Sequence, residues 1–116
     1  MAIYKGSEVK FAIDIVAQGF SMDDDDFEIE VASPRNSVKG YKTPEAGDPK
    51  DIVIFKETVT PAEGDPTSQW YAILDTQKLY TGDLRVIAKA FITDANANDG
   101  VRTEIAVTQL DKLINP

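Results

Sequence analysis

Asp83-Leu84-Arg85-Val86-Ile87-Ala88-Lys89-Ala90-Phe91-Ile92-Thr93 leads through Asp94-Ala95-Asn96-Ala97-Asn98-Asp99-Gly100 into Val101-Arg102-Thr103-Glu104-Ile105-Ala106-Val107-Thr108. This stretch decides the fold class. Leu84, Val86, Ala88, Ala90 and Ile92 recur at every second position, and Arg85, Ile87, Lys89 and Phe91 form a mixed opposite side. Successive side chains of a strand point to opposite faces, so a two-residue period predicts a strand with one buried face. The polar segment 94–100 reads as a hairpin loop in which Gly100 supplies positive φ. Val101 to Thr108 is then the returning strand, with Val101, Thr103, Ile105 and Val107 on one side.

The same period extends outward from this hairpin. Val9, Phe11, Ile13 and Ile15 alternate with Glu8, Lys10, Ala12 and Asp14 over Glu8–Val16, and Gln18-Gly19 makes a turn. Phe27, Ile29 and Val31 alternate with Glu28, Glu30 and Ala32, and Ser33-Pro34-Arg35-Asn36 follows as a turn with φ preset by proline. Val38 to Lys42 is a short strand and Thr43 to Lys50, with Pro44, Gly47 and Pro49, a loop. Asp51 to Val59 carries the β-branched and aromatic run Ile52-Val53-Ile54-Phe55 and reads as a strand. Thr60 to Ser68 is a second loop, and Gln69 to Leu74, around Trp70 and Tyr71, another strand. Thr76 to Tyr80 suits a helical turn, and Leu110 to Ile114 has no assigned state.

About seven short strands, with turn signals about every 8–12 residues, predict an antiparallel two-sheet sandwich within a single domain spanning 1–116. The expected core is Phe11, Ile13, Ile15, Phe27, Ile29, Val31, Trp70, Leu84, Val86, Ala88, Ile92, Ile105 and Val107.

Composition narrows the chemistry. The 116 residues hold no cysteine and no histidine. Thiolate nucleophiles, imidazole bases and zinc–thiolate sites are therefore excluded, leaving carboxylates, lysines, tyrosines and hydroxyls. With 20 acidic and 12 basic residues the net charge is −8. Such a surface repels phosphate backbones, so no nucleic-acid partner is expected. The N-terminal Met-Ala-Ile-Tyr-Lys has no apolar h-region, so no secretory signal is expected. Apolar runs fall far short of the roughly 20 residues of a membrane span, so no membrane partner is expected.

Four constellations invite a functional reading, each against a structural one. Asp23-Asp24-Asp25-Asp26 offers hard oxygen ligands, yet consecutive residues of an extended chain point in alternating directions, which favours a solvated turn. Asp94, Asn96 and Asn98 resemble the start of a calcium loop, but its glycine position holds Asp99 and its glutamate position Ile105. Trp70, Tyr71, Tyr80 and Tyr41 suit stacking on a sugar ring if exposed, whereas a lone strand tryptophan favours the core. Acid pairs about 5–9 Å apart suit glycoside hydrolysis, but acids are too plentiful here for proximity to mean anything. No catalytic, cofactor-binding or metal-ligating residue is assigned, no cofactor is expected, and the chain is read as a non-enzyme.

Trp70-Tyr71-Ala72-Ile73-Leu74-Asp75-Thr76, then Leu79-Tyr80-Thr81-Gly82-Asp83-Leu84, Ala88 to Thr93 and Asp94 through Ile105 together resemble small β-sandwich virion proteins of Bacteroides-type phages and prophages. Tyr4-Lys5-Gly6-Ser7-Glu8-Val9-Lys10-Phe11 is similar to the first strand of the immunoglobulin-like N-terminal domain of phage baseplate upper proteins. The resemblance covers most of the chain and rests on strand-and-turn patterns. It implies an immunoglobulin-like sandwich made in the bacterial cytoplasm and carried in the virion, as a tail, baseplate, head-fibre or capsid-decorating component. Its implied partners are other virion structural proteins, with homo-oligomers left open. Baseplate upper proteins usually continue into a C-terminal extension, whereas this chain stops at Pro116, which favours a stand-alone module or decoration subunit. The alternative is a carbohydrate- or surface-binding module.

Overall fold

The computed structural model describes residues 2–60 and 62–116. The chain is all-β: β1 (Ile3–Tyr4), β2 (Glu8–Ile13), β3 (Asp26–Ala32), β4 (Ser37–Tyr41), β5 (Ile52–Val59), β6 (Thr67–Asp75), β7 (Arg85–Thr93), β8 (Val101–Gln109) and β9 (Leu113–Ile114). Antiparallel strands form a three-stranded sheet in the order β2-β6-β5 and a four-stranded sheet in the order β4-β3-β7-β8. The seven expected strands correspond to β2–β8. The two short strands β1 and β9 are additional, and they pair in parallel, Ile3 with Leu113 and Tyr4 with Ile114.

The two sheets face each other across one apolar layer. Phe27, Ile29 and Val31 of β3 are fully buried, while Glu28 and Glu30 between them lie on the opposite face. From the other sheet Ile13, Ile52, Ala72 and Leu74 enter the same cluster. Phe27 meets Trp70 of β6 edge-on, with ring centroids 5.5 Å apart at 87°. Gly40 of β4 lies so close to Ile52 of β5 that a Cβ at Gly40 would stand 2.6 Å from both the Ile52 Cβ and its carbonyl oxygen. β4 and β5 therefore seal one side of the sandwich by backbone proximity.

The closed end is built from segments that carry no period. Thr76, Leu79 and Leu113 are completely buried. The Thr76 hydroxyl donates to the Ser7 carbonyl at 2.8 Å and accepts from the Gly6 N–H at 2.9 Å, so this buried polar side chain is satisfied. Gly82 and Leu113 exchange two backbone hydrogen bonds, 2.9 and 2.8 Å. Residues 76–80 form a turn closed by the Leu79 N–H on the Thr76 carbonyl, without a helix. Leu113 therefore joins the core from a segment whose sequence suggests no state.

The expected core needs correction at its other side. Ile13, Phe27, Ile29, Val31, Leu84 and Ile92 are buried, but Phe11, Ile15, Trp70, Val86 and Ala88 are only half-buried. Ile105 and Val107 are exposed, at 60% and 58%. The reason is register. Ile105 stands opposite Lys89 and Val107 opposite Ile87, so both share the outer face of β7, while Ala106 and Thr108 stand beside Ala88 and Val86 on the inner one.

Candidate protein–protein interface

The acidic run does not converge. Asp23 Oδ1 takes the Lys56 ammonium at 2.8 Å and the Trp70 indole N–H at 2.9 Å. Asp25 Oδ2 accepts the Ser21 N–H at 2.9 Å, and Asp26 Oδ1 accepts the N–H of Phe27 at 3.0 Å. Lys42 reaches the Asp23 and Asp25 carbonyls at 2.9 and 2.6 Å. The carboxylates thus organise the turn that delivers the chain into β3. The hydrogen bonds from Lys56 and Trp70 hold the Asp23 carboxyl below its ordinary value of 3.8.

The 94–100 loop is likewise internally bonded. Asp94 Oδ1 accepts the Asn96 N–H at 3.0 Å, and Asp94 Oδ2 pairs with Arg102 at 2.6 Å. Asp99 and Gly100 both have positive φ, 59° and 72°, so the turn uses one more left-handed residue than the glycine alone. No group of three or more acidic residues placed to hold a metal ion occurs among the described residues.

The four aromatics named from the sequence do not meet. Trp70 points inward against Phe27 and lies near the Lys42 and Lys56 ammonium groups, 5.4 and 5.9 Å from its ring centroid. Its neighbour Tyr71 points the other way and stacks on Phe55 at 6.0 Å, with the Lys10 ammonium 4.5 Å from the Tyr71 centroid. Tyr80 is exposed beside Lys5 and Arg35. Tyr41 lines a cleft of about 630 Å³ under the 44–50 loop. Phe55, which the sequence marks only as part of a strand, is the partner of Tyr71, as Phe27 is of Trp70.

β8 carries three of the exposed large hydrophobic residues found among the described residues, Val101, Ile105 and Val107. Its register with β7 is unbroken, from Arg85 opposite Gln109 to Thr93 opposite Val101. On the outer face Ile105 lies beside Lys89 and Val107 beside Ile87, and Val101 is 48% exposed. On the inner face Ala106 and Thr108, with Phe11, Ile15, Val86 and Leu110, line an open groove of about 340 Å³ between the two sheets. The third side of β8 is its free edge. The Leu110 N–H donates to the Leu84 carbonyl at 2.8 Å and the Gly100 carbonyl accepts from Asp94 at 3.0 Å. Backbone groups alternate sides along a strand, so the even-numbered residues of β8 bond β7. Val101, Thr103, Ile105, Val107 and Gln109 therefore turn N–H and C=O to the open edge.

An edge of this kind is normally blunted by charge, proline or a bulge. Residues 105–109, Ile-Ala-Val-Thr-Gln, contain none of these. The exposed β-branched run was visible in the sequence, but its two-sided exposure was not, because that depends on how many strands the opposite sheet contributes. No family model, curated protein or solved structure matches this chain.

Proposed function

We propose that this chain is a non-enzymatic, immunoglobulin-like assembly module of a phage or prophage particle, acting through protein–protein contact. The observation that carries the reading is β8: a long strand open along its edge, with Val101, Ile105 and Val107 exposed on its outer face. Exposed apolar surface beside an unpaired strand edge is a liability in a monomer and an asset in an assembly. The lack of histidine and cysteine removes the commonest catalytic groups. The virion assignment rests on the strand-and-turn resemblance given above, which also makes the bacterial cytoplasm the place of synthesis.

A second reading, a carbohydrate-binding module, has one observation in its favour: the Phe55–Tyr71 pair on the outer face of the three-stranded sheet. Lys10 lies over both rings, at 5.5 and 4.5 Å from their centroids. A sugar would have to displace it.

Mass spectrometry of purified particles from the host carrying this gene tests the first reading. The chain is expected in stoichiometric, wash-resistant amounts. Particles that lack it overturn the reading, and saturable glycan binding lost in Tyr71→Ala supports the second.

A further inference from the structure

The charges of β8 point to the partner at its edge. Arg102 and Glu104 are the strand's only ionic residues, so β8 is neutral within a chain of net charge −8. They lie two apart on one face, with Thr103 between them. We propose that β8 pairs with β8 of a second copy, antiparallel about a two-fold axis at Thr103.

This register places each strand's Arg102 opposite the other's Glu104. Thr103 faces its own copy, and Val101 faces Ile105. Val101, Thr103 and Ile105 are residues whose backbone groups face the open edge, so these three positions form the hydrogen-bonded pairs. Arg102 and Glu104 fall at the intervening positions, where facing side chains come closest. Opposite charges, Thr–Thr and β-branched pairs are all favourable cross-strand neighbours. Shifting the axis to Glu104 would set two carboxylates face to face. Shifting it to Ile105 would pair the whole of β8 but leave Arg102 opposite Thr108 and Glu104 opposite Ala106, and shifting it to Ala106 would leave Arg102 opposite Leu110 and Glu104 opposite Thr108, so neither register pairs the charges.

Arg102 is held in place within its own chain and still reachable. Its guanidinium bonds Asp94, the Gln18 carbonyl and Glu104 of its own chain, yet its side chain remains one-third exposed. A second copy adds another carboxylate to it, and alternating signs then run across the seam. The result is a continuous eight-stranded sheet made from two four-stranded ones, which is the isologous contact expected of a two-fold dimer. The inference rests on the assembly reading above for its biological role, and on β8 alone for its geometry.

Analytical ultracentrifugation of the purified chain, over about 10 µM to 1 mM, tests it. The wild type is expected to dimerise. Glu104→Arg, and separately Arg102→Glu, should each weaken the dimer about tenfold or more, because two facing pairs turn from attraction to repulsion. An equimolar mixture of the two variants should form a heterodimer, since the register then sets two cations against two carboxylates. Thr103→Pro removes an N–H directed at the edge, not at β7, and should abolish the dimer while far-UV circular dichroism stays that of the folded chain. A wild type that is monomeric throughout overturns the proposal, as does a dimer indifferent to Thr103→Pro. A dimer lost in Thr103→Pro but insensitive to charge reversal overturns the register. Finding the chain in particles while it is monomeric in solution refutes the self-pairing and leaves the assembly reading standing; particles without it refute the assembly reading.

Discussion

Trp70→Ala tests how the margin of the core is held. A fully buried tryptophan or phenylalanine truncated to alanine costs about 3–5 kcal/mol. Trp70 does not qualify for that full value, because one side of the indole is open and it packs against the core rather than within it. What remains is partial burial, an edge-on contact with Phe27 and a hydrogen bond to Asp23. The edge-on pair is worth about 0.5–1.5 kcal/mol beyond its area. An exposed hydrogen bond to a carboxylate adds little more, since water competes for both partners. A total of about 2–3 kcal/mol follows if roughly half the burial contribution survives. Urea denaturation followed by circular dichroism is the assay, since Trp70 is the sole tryptophan and its loss removes the tryptophan emission. Trp70→Phe separates the two effects: it keeps a ring against Phe27, removes the indole N–H, and should recover more than half of the loss. A cost below about 1 kcal/mol for Trp70→Ala would place the ring on the surface and refute the edge-on anchor. A cost above about 4 kcal/mol would show that the ring is a full core member.

Leu113→Ala should destabilise by about 2–5 kcal/mol, read from the urea midpoint, because a fully buried side chain leaves a void between β9 and the sheet ends; a change under about 0.5 kcal/mol would mean that the C-terminal strand is not part of the folded unit. Gly40→Ala sets a methyl against the Ile52 Cβ and carbonyl and should cost about 1–3 kcal/mol, measured as a lowered melting temperature; an unchanged melting temperature would mean that β4 and β5 do not meet at the backbone. The pH dependence has a definite sign at Asp23. Its folded pKa lies below the unfolded one, so its contribution is present above the ordinary 3.8 and is lost as pH falls through the lowered folded value. Thermal melts at descending pH should therefore show Asp23→Asn with a shallower acid loss than the parent; parallel curves would mean that the Lys56 and Trp70 contacts do not persist in solution.

The alternation that predicts β3 and β7 is local, and the structure follows it closely. Phe27, Ile29 and Val31 face inward and Glu28 and Glu30 outward, because the pleat alone separates them. The turn at Ser33–Asn36 and the polar hairpin loop ending at Gly100 were legible for the same reason: a few residues within one turn dictate their backbone. The positive φ of Asp99 was less so, since aspartate tolerates that region without requiring it.

Leu79, Leu113 and Thr76 became core residues without any period to announce them. Their burial comes from contacts between distant parts of the chain, Thr76 with Ser7 and Leu113 with Gly82, which no local window contains. The candidate interface divides in the same way. Sequence by itself determined that Val101, Thr103, Ile105 and Val107 share a face and that Arg102 and Glu104 share the other, because side-chain direction along a strand has a period of two. Only the tertiary structure decided that neither face is covered. A sequence can mark a side chain as apolar and alternating, but the register with β7 turns Val101, Ile105 and Val107 to the outer face, and the inner face of β8 borders an open groove because the opposite sheet has only three strands.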